Sequence, residues 1–115
     1  MSKNNKKIIR QNFRDSVFKR AKYACEGSGC NFKSSKENAE FELDAHHIGN
    51  RTLMPNGGYV LENGIALCSN CHVKAEQFWS KGSGEPGFSS DELYKKIGSS
   101  FEIAKEKSFN LKGNK

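Results

Sequence analysis

The sequence predicts a small α+β domain built around a strand, a loop, a second strand and a helix. Residues 41–48 alternate between apolar and polar side chains and residues 64–67 are apolar, as expected of two short strands. Residues 72–79 favour a short helix, which Gly82 and Gly84 would end. Two short-spaced cysteine pairs, described below, lie before the first strand and after the second, where a metal ion would clamp the edges of this core. The chain of 115 residues has room for one such domain.

Residues 1–24 are predicted to form a basic helical leader. They contain eight Lys and Arg against one Asp, while the other 91 residues have eleven basic and twelve acidic side chains. Over residues 8–23, apolar residues recur every four positions, which is typical of an amphipathic helix; they are Ile9, Phe13, Val17 and Ala21. Such a segment suits a polyanion, nucleic acid first and anionic membrane second. The alternative is a solvated, disordered leader, and composition alone does not separate the two.

The rest of the chain divides into a core at residues 25–80 and a C-terminal helical extension at 81–115, all within one domain. Residues 34–40 are expected to be an exposed loop and 49–62 a structured one. Two S-x-x-E capping boxes, Ser89 with Glu92 and Ser99 with Glu102, predict helices near 90–97 and 100–107, and the last residues are expected to fray. The extension is expected to cover the core with Leu93, Tyr94, Ile97, Phe101 and Ile103.

Composition excludes a membrane protein. Of the residues, 35% are hydrophobic and 28% charged, and no apolar run approaches the roughly 18 residues of a membrane span. Met1 is followed by a polar stretch without the apolar region of a secretory signal. We therefore expect an intracellular, cytoplasmic protein with no membrane partner.

The cysteines predict a structural zinc site. Cys25 and Cys30 form a C-x4-C pair, and Cys68 and Cys71 form a C-x2-C pair. In a reducing compartment such pairs suit metal chelation better than disulfides, which are the alternative. The glycines at 27 and 29 would allow a tight turn that brings both thiolates of the first pair to one ion.

Three histidines and an asparagine lie in and beside the strand–loop–strand–helix segment. The text reads D-A-H-H-I at 44–48, G-G-Y-V-L-E-N-G-I-A-L-C at 57–68 and S-N-C-H at 69–72. This order of His, Asn and His resembles the HNH endonuclease family over residues 25–76. The resemblance implies a ββα-metal fold, with the cysteine pairs placed as in the zinc-containing members of that family.

The resemblance also implies a role for each residue. His46 and His72 would be ligands of a catalytic divalent ion, His47 the general base, and Asn63 the residue that fixes the hairpin and orients the base. Hydrolysis of a phosphodiester requires a base that activates water and a cation that stabilises developing charge. Glu76, four residues after His72 on the same helix face, is either a third ligand or a solvated side chain, and Asp44 has the same two interpretations. The ligand types suit Mg²⁺, Mn²⁺, Ni²⁺ or Zn²⁺.

The predicted function is therefore a metal-dependent DNA endonuclease with double-stranded DNA as substrate, acting alone, as a homodimer or within a larger DNA-processing complex. The alternative is a zinc-stabilised nucleic-acid-binding module that does not cut. The three aromatic residues Tyr59, Phe78 and Trp79 are expected in the core. The residues expected to contact nucleic acid are Lys3, Lys6, Lys7, Arg10, Arg14 and Arg51.

Overall fold

The computed structural model describes residues 3–111, with side chains from Lys6 onward. The described chain contains five α-helices, a two-stranded antiparallel sheet and three short 3₁₀ helices in the connection between the strands. The bounds of the α-helices and strands are α1 (Lys3–Arg20), α2 (Ala39–Glu42), β1 (Asp44–His47), β2 (Gly64–Leu67), α3 (Ser69–Lys81), α4 (Ser90–Lys96) and α5 (Phe101–Phe109). This arrangement, together with a cluster of four cysteines, confirms the predicted α+β class and is consistent with a ββα-metal fold.

The sheet is short and one of its strands is fully buried. Asp44 pairs with Leu67 and His47 pairs with Gly64, so the end of β1 faces the start of β2. Both α1 and α3 contact both strands. A Cβ atom at Gly64 would lie 2.5 Å from Val17 Cγ2 and 2.7 Å from Phe13 Cζ, so α1 packs directly on the backbone of β2. The sheet therefore has a helix against each strand and ends at the histidine pair.

Helix α1 begins earlier and ends earlier than the predicted 8–23. Phe13 and Val17 of the predicted apolar stripe are buried. The helix ends at Arg20 because Lys22 and Tyr23 have positive φ angles of 56° and 62°, which no right-handed helix accommodates.

Arg20 ties the end of α1 to the core. Its guanidinium binds the Glu26 carboxylate at 2.6 Å and donates to the carbonyls of Gly64 at 2.7 Å and Leu61 at 3.0 Å. Glu26 in turn accepts from the Ala66 amide at 3.0 Å. One charge of the basic leader is therefore used inside the fold.

The prediction of a strand from residue 41 is wrong for its first three residues. Residues 39–42 form α2 instead, and the strand begins at Asp44. Ala39 and Leu43, four residues apart, are buried while Phe41 is 80% exposed. This is helical spacing, which resembles strand alternation when only Phe41, Leu43 and Ala45 are considered.

The C-terminal helices form where they were predicted, except that the residue capping α5 differs by one position. Ser89 and Glu92 form the predicted capping box of α4. Helix α5, however, is capped by Ser100, whose Oγ accepts from the Ile103 amide at 3.1 Å, while Ser99 donates to the Glu62 carbonyl. The prediction of Ser99 as the cap is therefore wrong by one residue.

Burial on α5 also differs from the expected pattern. Ala104 is fully buried and Ile103 is 43% exposed, so the expected core position of Ile103 is wrong. Helix α3 ends as predicted at Gly82, which has a left-handed φ of 73°. Within residues 3–111, no helix combines the length and the apolar character needed to cross a bilayer. The predicted fraying of the terminus falls largely on residues 112–115, outside the described residues.

Candidate active site

The four cysteines form a preassembled cluster. Their sulfur atoms all lie within 4.8 Å of one another, and the Sγ atoms of Cys30 and Cys68 are 3.8 Å apart. All four are free thiols, so none of the described cysteines forms the alternative disulfide. Cys25 and Cys30 come from the loop after α1, while Cys68 caps α3 and Cys71 lies in its first turn. The cluster is suited to hold one metal ion.

Two glycines shape the loop that carries the first cysteine pair. A Cβ atom at Gly27 would lie 2.5 Å from the Cys71 sulfur, and Gly29 has a left-handed φ of 72°. The amides of Gly27 and Cys68 both point at the Cys25 sulfur at 3.3 Å. Burial raises the pKa of the Cys25 and Cys71 thiols. A bound cation would offset this cost, since metals bind the thiolate form.

His46, at position three of β1, and His72, in the first turn of α3, lie together. Their ring centroids are 5.1 Å apart. Two carboxylates flank His72: Asp44 Oδ2 lies 3.1 Å from its Nδ1, and Glu76 Oε2 lies 3.5 Å from its Nε2. The structure therefore brings together all four residues for which a catalytic-metal contact was considered.

His46 is buried, His47 is half-buried, and both are held in a neutral form. The Nε2 atoms of His46 and His47 are buried, and neither has a hydrogen-bond partner among the described residues. Burial, followed by the neighbouring histidines, lowers the pKa of His46 to about 3. Burial, followed by the positive charge of Arg51, lowers the pKa of His47 to about 4. A neutral imidazole with a free nitrogen can bind a metal ion or accept a proton.

His47 is held between two aromatic rings. The Phe13 ring stacks on it with centroids 4.5 Å apart, and the Tyr59 ring meets it edge-on at 4.8 Å. Arg51 donates a hydrogen bond to the Tyr59 hydroxyl. Burial alone would raise the pKa of Tyr59, but hydrogen bonds from Arg10 and Arg51, and their charges, outweigh it and lower the pKa.

Neither Phe13 nor Tyr59 was predicted as a site residue. Phe13 was predicted correctly as a buried position of the apolar stripe, but its contact with His47 spans 34 residues and has no local signal. Tyr59 follows the Gly57–Gly58 turn, and nothing in that motif indicates which side chains its ring meets. Their place in the site could be found only from the tertiary structure.

Asn63 fixes the long connection between the strands. It is fully buried, and its Oδ1 accepts from the Gly49 amide at 2.9 Å and from the Tyr94 hydroxyl at 2.6 Å. Its Nδ2 donates to the carbonyls of Gly49 and Gly58. These contacts join the two ends of the loop that carries Arg51. A direct contact with His47 is not among them, so the role of Asn63 in orienting that ring stays a prediction.

Two open clefts meet at the histidines. One, of about 740 Å³, is lined by His47, Tyr59 and the arginines 10, 14 and 51, and also by Glu40 and Asp44. The other, of about 530 Å³, lies on the side of His46, Glu76 and Trp79. His47 and His72 line both clefts. An extended polymer bound in one cleft could therefore continue into the other past His47 and His72.

The remaining residues that were predicted to contact nucleic acid lie along α1. Lys6 and Lys7 are exposed, and the side chain of Lys3 lies outside the described residues.

One of the three aromatic residues predicted in the core is not there. Trp79 is 44% exposed and its ring lies 4.9 Å from that of His46, so its expected core position is wrong. Tyr59 and Phe78 are half-buried and pack on the core.

The sheet, the following helix, the histidines at the sheet end and the cysteine cluster define a protein of the ββα-metal class. A family model described as HNH endonuclease matches residues 25–78, which confirms the resemblance found in the sequence. The match over residues 25–78 suggests a nuclease or nucleic-acid-binding function. Neither a curated protein nor a solved structure matches the chain significantly.

Proposed function

We propose that the protein is a metal-dependent DNA endonuclease that hydrolyses phosphodiester bonds, with His47 as the general base. The observation that carries this proposal is the placement of a neutral His47 between a cleft lined by arginines and the His46–His72 pair. A ring with a lowered pKa is unprotonated at neutral pH, which is the state a base requires.

The catalytic cation would be held by His46 and His72. The buried, unpartnered Nε2 of His46 fits a metal ligand, and Glu76 and Asp44 are the carboxylates next to His72. When bound, Mg²⁺, Mn²⁺, Ni²⁺ or Zn²⁺ would supply electrostatic stabilisation of the charge that develops on the phosphate. Two histidine ligands would leave positions open for water and substrate.

The other residues of the chain bind and orient the substrate. Arg10, Arg14 and Arg51 would hold the phosphates of double-stranded DNA in the cleft beside His47. The exposed face of α1 would extend this surface through Lys7 and Lys6. Lys3, at the start of the helix, is the next basic residue in the sequence. His47 would take a proton from the attacking water, and Asn63 would keep the Arg51 loop in place.

The cysteine cluster would hold a structural zinc ion. Four clustered cysteines are preferred ligands of zinc, and a closed set of protein ligands serves structure rather than catalysis. Free thiols also require a reducing compartment, so we infer an intracellular, cytoplasmic location.

The test is cleavage of supercoiled plasmid in the presence of Mg²⁺, Mn²⁺ or Ni²⁺. We expect nicked or linear DNA with the wild-type protein and a rate lower by about 10² to 10⁴ for His47→Gln. Ser80→Ala, an exposed change on α3, is the control and should cut at the wild-type rate. Equal rates for His47→Gln and wild type would remove His47 as the base. DNA binding without cleavage under every cation would favour the non-cleaving nucleic-acid-binding module.

A further inference from the structure

Tyr59 connects two arginines that come from different parts of the chain. Arg10 lies on α1 and Arg51 in the turn after β1; Arg51 donates a hydrogen bond to the Tyr59 hydroxyl, and the charge of Arg10 also acts on that hydroxyl and helps to lower its pKa. The Arg51 guanidinium carbon also lies 5.8 Å from the centroid of the Tyr59 ring. The same ring touches His47 and Phe13. Tyr59 thus lies between the two guanidinium groups and His47.

Both arginines keep their positive charge available. The ion pairs of the described side chains, residues 6–111, join other groups and include neither Arg10 nor Arg51. Two guanidinium groups around one point repel each other, and long arginine side chains lose conformational entropy when they are fixed. A phenol oxygen accepts a hydrogen bond from a guanidinium group without cancelling its charge. A site of this kind is prearranged for an anion that brings the missing negative charge.

We propose that Tyr59 is a positioning residue that holds Arg10 and Arg51 as one phosphate-binding pair beside His47. The pair lines the same cleft as His47, so a phosphate between the guanidinium groups lies next to the proposed base. Tyr59 acts through the arginines, since its hydroxyl fixes their side chains before the phosphate arrives. The assignment of that phosphate to DNA rests on the proposed function. The arrangement of Tyr59, Arg10 and Arg51 is independent of that function.

The test measures DNA affinity without cleavage. A fluorescein-labelled 20-base-pair duplex is titrated by anisotropy, with no divalent cation added, against wild type, Tyr59→Phe, Arg51→Met and the double variant. Tyr59→Phe removes the hydroxyl and keeps the ring that packs on His47. We expect Tyr59→Phe to weaken binding by about three- to tenfold, and to have little further effect once Arg51 is Met, because the two changes break the same pair.

Tyr23→Phe is the matched control, since Tyr23 lines a different cleft with Lys19 and Lys36, and it should bind as wild type does. Thermal unfolding of each variant checks that the fold is retained. Wild-type affinity in Tyr59→Phe, or independent losses that multiply in the double variant, would overturn the proposal, and so would an absence of DNA binding by the wild type. Coupled binding losses in a protein that never cuts would leave the pair standing and reject the endonuclease. Normal cleavage by the wild type, together with unchanged DNA affinity in Tyr59→Phe, would reject the arginine pair and leave the endonuclease proposal standing.

Discussion

The cysteine cluster and the histidine cluster share the first turn of α3 and differ in how complete they are. Cys71 and His72 are neighbours in the sequence, yet one belongs to a closed set of four sulfur atoms and the other to an open group. The carboxylates beside His72 are more than half exposed, while the Nε2 of His46 has no partner among the described residues. A closed ligand set suits a structural ion, and an open one suits a reaction.

The basic side chains beside the two clusters also differ in whether they are paired with a carboxylate. On the cysteine side, Lys74 is paired with Glu85 at 3.0 Å, so its charge is largely satisfied. On the histidine side, Arg51 donates a hydrogen bond to the Tyr59 hydroxyl, and the ion pairs of the described side chains include neither Arg10 nor Arg51. The comparison teaches that adjacent residues of one helical turn can belong to two different sites, one a closed set of sulfur atoms and the other an open group beside these arginines.

The largest expected effect is the loss of a cysteine ligand. Cys68→Ser should unfold the protein, because structural zinc contributes on the order of 10 kcal/mol to the folding of small zinc modules. Circular dichroism and zinc content measured by mass spectrometry test this. Ser69→Ala, the exposed neighbour on α3, should remain folded and hold its metal. A stable, metal-free Cys68→Ser protein would mean that the cysteine cluster does not support the fold.

An intermediate effect is expected on the stability of the protein in acid, where protonation of His47 in the histidine cluster destabilises the fold. His47 has a folded pKa of about 4 against 6.5 in the unfolded chain, so its contribution is complete above pH 6.5 and is lost as the pH falls toward 4. Between pH 7 and pH 5 this single group should cost about 2 kcal/mol of unfolding free energy. Urea unfolding at both pH values measures the loss.

His47→Gln supplies the control for that experiment. Protonation of the cysteine thiolates also destabilises the fold in acid, but it occurs equally in both proteins and cancels in the difference. The variant should therefore lose less stability than the wild type by about the 2 kcal/mol assigned to His47. Identical losses would show that the imidazole is not held neutral in the folded protein.

The smallest expected effect is on the salt dependence of DNA binding. If Arg10 and Arg14 each contact a phosphate, the double change Arg10→Gln/Arg14→Gln should flatten the plot of log affinity against log salt by about 2, at roughly 0.9 per contact. Lys74→Gln on the cysteine side should leave the slope unchanged, since its charge is paired. Equal slopes for the wild type and the double variant would show that Arg10 and Arg14 do not contact phosphates.

The sequence was most informative where chemistry depends on residue type and spacing. The four cysteines, the three histidines and the cap of α4 were identified from motifs, and the structure brings the cysteines together as expected. It was least informative where several local patterns compete. Residues 39–40 were predicted as part of a loop and 41–42 as part of a strand, yet together they form a helix, and Ser99 was predicted as the cap that its neighbour Ser100 provides.

Contacts between distant segments were beyond the reach of local patterns. The rings of Phe13 and Tyr59 around His47, and the exposed Trp79 beside His46, depend on how α1, the long loop and α3 pack together. Apolar periodicity predicts that such residues contact something, but not which partner they meet. The supporting groups of the site therefore came from the structure, and the candidate ligands from the sequence.

The close fit of α1 on Gly64 has a consequence during synthesis of the chain. The helix can form as soon as it leaves the ribosome, but its docking surface on β2 lies nearly fifty residues later in the sequence. At about 5–20 residues per second, this leaves Phe13 and Val17 without their partners for roughly 2–10 s. In that interval the basic residues of the α1 segment lie on a nascent chain in which the cleft that they line has not yet formed.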